Sequence, residues 1–475
     1  MRYFSTRNRG EGVDFAAAAL RGLAADGGLF IPEEIPRYPK AVLSSLGDMD
    51  FCDVALETIR PYVAGEIPGP ALEDMVRSAY PFAAPLIAAG DRMALELFHG
   101  PTAAFKDFGA RFMARAFSYL RRGEDKPLRI LVATSGDTGG AVADGFFGVE
   151  GIFVTVLYPR GRVSPLQERQ IAGLGGNISA LAVEGSFDDC QRLVKAALGD
   201  AGLRRRMALS SANSINISRL IPQAVYYAAA AGRAFAGARD PDGEATPRSA
   251  AAFRDAGALR GGPADGAADG AAFGPVRGEP AVFCVPSGNF GNLTAGLYAM
   301  KMGAPIRQFI AATNINKTVP DYLAGGVYEA RLSQATISNA MDVGAPSNFE
   351  RMAAHFSLEE MRRIILGVYV SDEETRRAIA RVHDRWGYFL DPHSAVGWEG
   401  ADRLFREGRL PAGPLGILCT AHPAKFAETV EPLTGPVPLP PVLAKALERI
   451  PAAALIPPEV PAFTGWLENQ STAAP

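Results

Sequence analysis

Apolar residues follow two alternating patterns along much of this chain. Short apolar runs of strand length occur at residues 128–133 and 178–183, and between such runs apolar residues return every three or four positions. The first pattern is typical of buried strands and the second of amphipathic helices. Because strands that alternate with helices favour parallel pairing, we predict an α/β fold with mainly parallel sheets and helices on both faces.

The same patterns predict several further elements. Strands are predicted at residues 152–157, 281–285, 306–311 and 415–419. A helix is predicted to begin at Lys106 and to close near Gly123, because the apolar residues between them share one helical face. Ser186 and Ser371 stand where a side chain can cap a helix, so a helix is predicted to begin after each of them.

The length of the chain suggests more than one domain. A chain of 475 residues exceeds what one hydrophobic core usually serves. We predict an N-terminal helical region at 1–98, an α/β domain at 99–235, a flexible insertion at 236–280 and a second α/β domain at 281–475. The insertion has too few large apolar residues to offset the entropy of ordering it. The proline-rich segment after Pro432 is predicted to wrap the surface as a tail.

Composition narrows the range of partners and compartments. A formal net charge of −3 without a Lys/Arg block argues against nucleic acid. The four cysteines form no CxxC pair and the five histidines share no metal-ligand spacing, which suits a reducing compartment and no bound metal. The N-terminus lacks the apolar core of a signal peptide, and no apolar run reaches the roughly 18 residues of a membrane span. We therefore expect a soluble, cytoplasmic protein with no membrane partner.

Lys106 is the leading candidate for a reactive side chain. It ends the turn HGPTAAFK, residues 99–106, and begins the predicted helix on its apolar side. An amine that is shielded from water near the positive end of a helix dipole loses its proton readily and becomes nucleophilic towards a carbonyl. The alternative is a lysine that ends a strand and extends its amine to solvent.

Two glycine-rich loops each join a predicted strand to a predicted helix. They read TSGDTGG at residues 134–140 and PSGNFGN at residues 286–292. Such loops direct backbone N–H groups towards a carboxylate or a phosphate, although each could also serve only as a tight turn. The chain has neither a GxGxxG loop followed by an acidic residue nor a GxxxxGK[ST] loop, so a nucleotide site is disfavoured.

A lysine that forms a Schiff base and a loop that binds phosphate are what an enzyme needs to hold pyridoxal phosphate. The chain resembles the threonine synthases, which are related to tryptophan synthase β and to the serine/threonine dehydratases. The stretches that carry the resemblance lie within residues 98–426, in the order found in that family. They are FHGPTAAFKDFGARFM, ATSGDTGGAVADGF, YPRGRVSPLQERQ, ANSINISRL, PSGNFGNLTAG, ISNAMDVGAPSNFERM and TAHPAKF, with NRGEGVDF and DGGLFIP nearer the N-terminus.

The resemblance implies a cofactor, pyridoxal 5'-phosphate, in a cleft between the two α/β domains. Lys106 would be the catalytic residue and would join the cofactor as a Schiff base. Thr420, which follows the predicted strand 415–419, would face the pyridine nitrogen. The cofactor phosphate would bind the backbone N–H groups of Gly288, Asn289, Phe290, Gly291 and Asn292.

The resemblance also implies a substrate site beside the cofactor. The substrate carboxylate would bind Ser135, Gly136, Asp137, Thr138 and Gly139. A leaving phosphate needs a cation, and each candidate arginine could instead form a surface ion pair. The candidate cations are Arg160, Arg162 and Arg219, with Asn213, Ser214 and Asn216 as further donors.

The implied reaction converts O-phospho-L-homoserine and water to L-threonine and phosphate by β,γ-elimination and replacement. Lys106 would serve as the base, so His99 and His422 are expected to stabilise turns and not to transfer protons. One alternative is a threonine or serine dehydratase, and another is a non-enzymatic protein that binds a phosphorylated ligand. The expected partner is a small molecule, and the chain is expected to be a monomer or a homodimer.

Overall fold

The computed structural model describes residues 1–90, 92–237 and 277–472, and the insertion predicted to be flexible at 236–280 lies almost entirely outside them. The described strands are β1 (Tyr3–Ser5), β2 (Phe30–Pro32), β3 (Leu86–Ala89), β4 (Arg92–Glu96), β5 (Leu128–Ala133), β6 (Ile152–Pro159), β7 (Ile178–Val183), β8 (Ala208–Ser211), β9 (Ala281–Pro286), β10 (Ile306–Thr313), β11 (Ile365–Tyr369), β12 (Leu415–Cys419) and β13 (Ala453–Ile456).

Helices connect most of these strands. The described α-helices are α1 (Phe15–Arg21), α2 (Lys40–Ser45), α3 (Phe51–Val63), α4 (Gly69–Ala79), α5 (Lys106–Leu120), α6 (Asp137–Phe146), α7 (Pro165–Ala172), α8 (Phe187–Gly199), α9 (Ala201–Arg206), α10 (Ile217–Leu220), α11 (Ala224–Ala236), α12 (Gly291–Met302), α13 (Thr318–Gly325), α14 (Phe349–His355), α15 (Leu358–Ile364), α16 (Asp372–Trp386), α17 (Pro392–Arg406), α18 (Ala427–Thr434), α19 (Pro441–Leu447) and α20 (Val460–Thr472). Short 3₁₀ helices occur at Ile221–Gln223, Asn339–Met341 and Pro423–Phe426. None of the helices described is both long and apolar enough to cross a bilayer.

One sheet has five strands in the order β13-β7-β6-β5-β8, and each pair in it is parallel. All six residues of β5 are buried, as expected for a parallel strand covered on both faces. The predicted bounds of β5 and β7 are confirmed. β6 runs two residues further than predicted, because Tyr158 and Pro159 continue its pairing with β7.

The second sheet has six strands in the order β11-β10-β9-β12-β4-β3. Neighbouring strands in this sheet are parallel except for β3 and β4, which pair antiparallel at one edge. β1 and β2 pair separately in an antiparallel ribbon. The predicted α/β class with mainly parallel sheets is confirmed.

The membership of the two sheets does not follow the contiguous segments expected from the sequence. β3 and β4 lie within residues 1–98, yet they extend the sheet that is otherwise built by the C-terminal half. Conversely, β13 lies in the C-terminal segment that was predicted to be a surface tail, yet it pairs with β7 of the other sheet. Phe463 of α20, in the same segment, is fully buried. Pairings between strands so distant along the chain leave no local signal, and three of the four residues of β13 are exposed.

Close helix packing places the first turn of α5 in the interior. A Cβ atom on Gly109 of α5 would lie 2.6 Å from the backbone O of Arg219 in α10. A Cβ atom on Gly145 of α6 would lie 3.2 Å from the backbone of Ala110. The approach at Gly109 requires glycine, because a larger side chain would separate the helices, and the approach at Gly145 is tight for any larger residue. They bring Lys106, the first residue of α5, towards the residues at the ends of both sheets.

Candidate active site

A cavity of about 430 Å³ opens at the carboxyl ends of four parallel strands. Thr134 follows β5, Ser287 follows β9 and Thr420 follows β12, while Ser211 ends β8, and all four line the cavity. Ligands of parallel α/β sheets bind beyond the carboxyl ends of the strands. Both sheets therefore contribute to one candidate site.

Lys106 lies at the wall of this cavity, and 13% of its side chain is exposed. Its Nζ atom is 3.6 Å from Oδ2 of Asp137. Burial lowers the pKa of Lys106; Asp137 opposes this effect, and the charges of Lys425 and Arg219 reinforce it. The amine can therefore become neutral and nucleophilic more readily than a lysine in water.

Hydrogen bonds from Thr102 and Phe105 hold the turn before Lys106 in place. Thr102 donates from its backbone N–H and its hydroxyl to the carboxylate of Asp107, at 2.9 and 2.6 Å. The N–H of Phe105 donates to the backbone O of Thr420 at 2.9 Å. Ala103 has a φ of 53°, which marks the tight turn. These contacts fix Lys106 next to the end of β12.

The loop after β9 leads directly into the N-terminus of α12. Phe290 has a left-handed φ of 58°, and no side chain caps the helix that begins at Gly291. A Cβ atom on Gly288 would lie 2.7 Å from Cα of Met341, so only glycine fits there. The loop from Gly288 to Asn292 lines the cavity, and an uncapped helix N-terminus of this kind attracts an anion.

Asn292 is held rigidly at this loop. Its Oδ1 atom accepts hydrogen bonds from the hydroxyls of Tyr226 and Tyr227, each at 2.7 Å. Its Nδ2 atom is buried and has no hydrogen-bond partner among the described residues. A buried amide nitrogen without a protein partner is unfavourable, and an acceptor on a ligand would satisfy it.

Only part of the first glycine-rich loop reaches the cavity. Ser135, Asp137 and Thr138 line it, whereas Gly136 and Gly139 do not. The two glycines instead turn the backbone, and their N–H groups donate to the hydroxyl of Thr134 at 3.0 and 2.9 Å. Gly136 has a φ of 143°, and a Cβ atom there would meet the side chain of Gln167.

The segment from Asn213 to Arg219 also divides into lining and supporting residues. Asn213, Ser214 and Arg219 line the cavity. Arg219 is buried, its Nη1 donates to the backbone O of Ala212 at 2.6 Å, and its Nε has no partner. Burial lowers the pKa of Arg219 to about 10. Asn216 lies outside the cavity and caps α10, accepting from the N–H of Ser218 at 3.0 Å.

The other two candidate arginines do not line the cavity. Arg160 is exposed and pairs with Glu184 at 3.2 Å, and its backbone N–H donates to Val183 O beside β7. Arg162 is exposed on the following turn. The surface ion pair that was the alternative is thus the observed arrangement of Arg160. Both arginines were candidates because they lie within YPRGRVSPLQERQ, one of the stretches that carry the family resemblance.

The two histidines beside the turn also stay outside the cavity lining. His99 contacts Glu96 at 2.7 Å. His422 accepts a hydrogen bond from the N–H of Ala424 at 3.2 Å, and burial lowers its pKa to about 3. Both contacts hold local turns.

Several side chains in or near the cavity were not predicted from the sequence, among them Lys425 and His393. Lys425 is fully buried behind the wall, with its Nζ atom 2.8 Å from Oδ1 of Asp137. His393 lines the cavity, and its Nδ1 atom contacts Asp391 at 2.7 Å. The sequence offered one signal for Lys425, because it lies within TAHPAKF, one of the stretches that carry the family resemblance. His393 carried no comparable signal.

Comparison with known proteins defines the class first. The family model of pyridoxal-phosphate-dependent enzymes matches residues 271–421, which include the loop before α12 and the end of β12. This cofactor requires a lysine that can form a Schiff base, and Lys106 lies in the same cavity as that loop. The fold and this match place the chain in the class of pyridoxal-phosphate-dependent enzymes.

Closer relatives define the family. Models of the threonine synthase N terminus and C-terminal region match residues 2–80 and 394–461. Threonine synthase of Escherichia coli (strain K12) is 40% identical over 437 residues, which cover 92% of this chain and 91% of that protein. The chain belongs to the threonine synthase family.

Solved structures agree with this assignment. The crystal structure of threonine synthase with bound PLP from Brucella melitensis has a TM-score of 0.83 and 34% identity, and the match covers 100% of both chains. Threonine deaminase isoform 2 from Solanum lycopersicum has a TM-score of 0.51 and 15% identity, and covers 76% of this chain and 87% of its own. It shares the fold alone, so the dehydratase alternative is not favoured.

Proposed function

We propose that this chain converts O-phospho-L-homoserine and water to L-threonine and phosphate, with pyridoxal 5'-phosphate held in the cavity. The observation that carries the proposal is the union of a largely buried lysine and an uncapped helix N-terminus in one cavity. The unpartnered Nδ2 atom of Asn292 gives the cavity a further donor. These groups match an aldehyde, a phosphate and a polar ring.

The residues would hold the cofactor as follows. Lys106 would join the aldehyde carbon as a Schiff base, and the hydroxyl of Thr420 would face the pyridine nitrogen. A hydroxyl there does not enforce a protonated ring. The cofactor phosphate would bind the loop formed by Gly288, Asn289, Phe290, Gly291 and Asn292.

Bound pyridoxal phosphate supplies a ring that withdraws electrons from the substrate carbon atoms. Lys106, through its Nζ atom, would remove the Cα proton and one Cβ proton of the substrate, and would return one proton to Cγ and one to Cα. Ser135 and Thr138 offer donors for the substrate carboxylate beside the helix that begins at Asp137. Phosphate would leave from Cγ with its ester oxygen, and water would add its hydroxyl group at Cβ and give up its other proton.

The leaving phosphate requires a cation within the cavity. Arg219 is suited to this role because its buried guanidinium has an Nε atom without a protein partner among the described residues. Asn213 and Ser214 lie beside it as neutral donors. We therefore assign the substrate phosphate to Arg219 and not to Arg160 or Arg162.

Lys106→Ala tests the proposal. The variant should lack the visible absorption of the lysine-bound cofactor, and threonine formation should fall by at least about 10²- to 10⁴-fold, the usual contribution of a positioned base. A coupled assay of threonine and of released phosphate measures turnover in the wild-type protein. A normal visible band in the variant, or threonine formed without phosphate release in the wild type, would contradict it.

We further propose that the chain works in a reducing compartment such as the cytoplasm, as a monomer or a homodimer. The support is that its cysteines are free thiols, three of them buried. The cavity is also complete within one chain, since the described residues of a single copy supply the lysine, the loop and the guanidinium.

A further inference from the structure

Lys425 is a buried lysine to which the reaction scheme above gives no role. It lies in the 3₁₀ helix Pro423–Phe426, and its side chain has no exposed surface. Its Nζ atom donates to Oδ1 of Asp137 and to the backbone O of Thr102, each at 2.8 Å. A buried ammonium is costly unless it is paired and hydrogen-bonded, and these two acceptors meet that requirement.

The carboxylate that Lys425 contacts is the one that faces the reactive amine. Oδ1 of Asp137 is bonded to Lys425, whereas Oδ2 lies 3.6 Å from Nζ of Lys106. Gln167 donates to the same Oδ1 at 2.9 Å. Two amines thus share one carboxylate, and Lys425 makes the shorter contact.

Alone, a buried carboxylate at this distance would hold Lys106 as an ammonium, which is neither a nucleophile nor a base. We propose that Lys425 is a positioning residue that balances the charge of Asp137 and thereby lets the nitrogen of Lys106 lose its proton. This inference rests on the proposed function of Lys106. Lys425 does not line the cavity, so it acts through Asp137 and not by touching the cofactor.

The other charged groups around the pair are consistent with this role. Burial raises the pKa of Asp137, but Lys425 and Lys106 outweigh it and the net shift is downward, with the His393 ring contributing. Burial lowers the pKa of Lys106, with Lys425 and Arg219 acting in the same direction. Arg219 is bonded instead to Ala212 O, so of these two further cations it is Lys425 that contacts the carboxylate.

A pH titration of the visible spectrum of the purified holoenzyme tests the inference. The absorption of the bound cofactor reports the protonation of the nitrogen contributed by Lys106. In Lys425→Met, which keeps most of the side-chain length but not the charge, the midpoint should rise by about one pH unit or more. Lys445→Met removes an exposed lysine from α19 and should titrate as the wild type.

Two further variants separate charge balance from a merely structural role. Asp137→Asn should lower the midpoint, and the Lys425→Met/Asp137→Asn double variant, which loses one charge of each sign, should titrate near the wild type. If the methionine variant does not fold, Lys425→Gln retains a donor and should show the same rise. A damaged fold would not shift the midpoint in opposite directions in the two single variants and restore it in the double variant.

An unshifted midpoint in Lys425→Met, an unshifted or raised midpoint in Asp137→Asn, or a double variant that keeps the full shift would overturn the inference. The proposed function fails separately. If the wild-type protein showed no visible band, Lys106 itself would be misassigned. If the visible band of the wild type titrates with pH and Lys425→Met has the same midpoint, only the role of Lys425 is wrong.

Discussion

The guanidinium of Arg219 is the cation whose surroundings most resemble a binding site for a phosphate. It is 2% exposed, it is bonded through one nitrogen to Ala212 O, and its Nε atom has no partner among the described residues. Arg160 is exposed and already paired with Glu184. A desolvated guanidinium binds phosphate far more strongly than one that is screened by water.

Arg219→Lys is therefore expected to raise the KM for O-phospho-L-homoserine by about 10- to 100-fold, the effect of losing one charged hydrogen bond. Lysine keeps the charge, so the fold near Ala212 should be least disturbed. Arg160→Ala is the matched control and should leave KM unchanged. Steady-state kinetics measure both, and equal KM values in the two variants would remove Arg219 from the phosphate site.

At the scale of elements, the crossing of α5 and α10 sets the distance between the amine and the guanidinium. Lys106 begins α5 and Arg219 lies in α10, and Gly109 allows the two backbones to touch. The neighbour of Gly109 is a backbone oxygen, which cannot rotate away as a side chain could. The crossing is therefore sensitive to a single added methyl group.

Gly109→Ala should lower the free energy of unfolding by about 1–3 kcal/mol, because overpacking outweighs the better helix propensity of alanine. Gly465→Ala in α20 is the control, since a Cβ atom there would meet nothing within 4 Å. It should be neutral or stabilising by up to about 1 kcal/mol. Urea denaturation followed by circular dichroism compares them, and equal midpoints would show that the crossing can relax.

At the scale of the whole molecule, the chain crosses between its two sheets more than once. β4, from the N-terminal region, pairs with β12, and β13, from the C-terminal region, pairs with β7. Phe463 of α20 is fully buried in the same hydrophobic cluster as Leu181. The C-terminal segment therefore belongs to the core of the five-stranded sheet, whose strand β5 leads into the cavity.

Phe463→Ala should lower the free energy of unfolding by about 3–5 kcal/mol, the usual result of deleting a buried phenyl ring. Ile450→Ala removes a side chain that is 86% exposed and should change the free energy of unfolding by less than about 0.5 kcal/mol. Urea denaturation followed by circular dichroism measures both changes. A surface tail, as first expected from its prolines, would give two equally small effects.

Short sequence patterns were enough to predict a large share of the elements of the fold and of the loops at the candidate site. The bounds of β5, β7 and β12, the start of α5 at Lys106 and the cap at Ser186 follow from apolar runs and capping residues within a few positions. The glycine-rich loops were visible because the turn and the helix that follows are encoded in adjacent residues. The family resemblance rests on the same stretches.

Contacts between distant residues required the folded chain. Nothing near Lys425 in sequence indicates that it meets Asp137, and Arg160 and Arg219 differ only in what surrounds them after folding. The pairing of β4 and β13 with strands that are remote in sequence likewise forms only when the chain folds. Apolar periodicity reports burial along one element, whereas charge pairing and desolvation depend on which elements meet, and only the tertiary structure decides that.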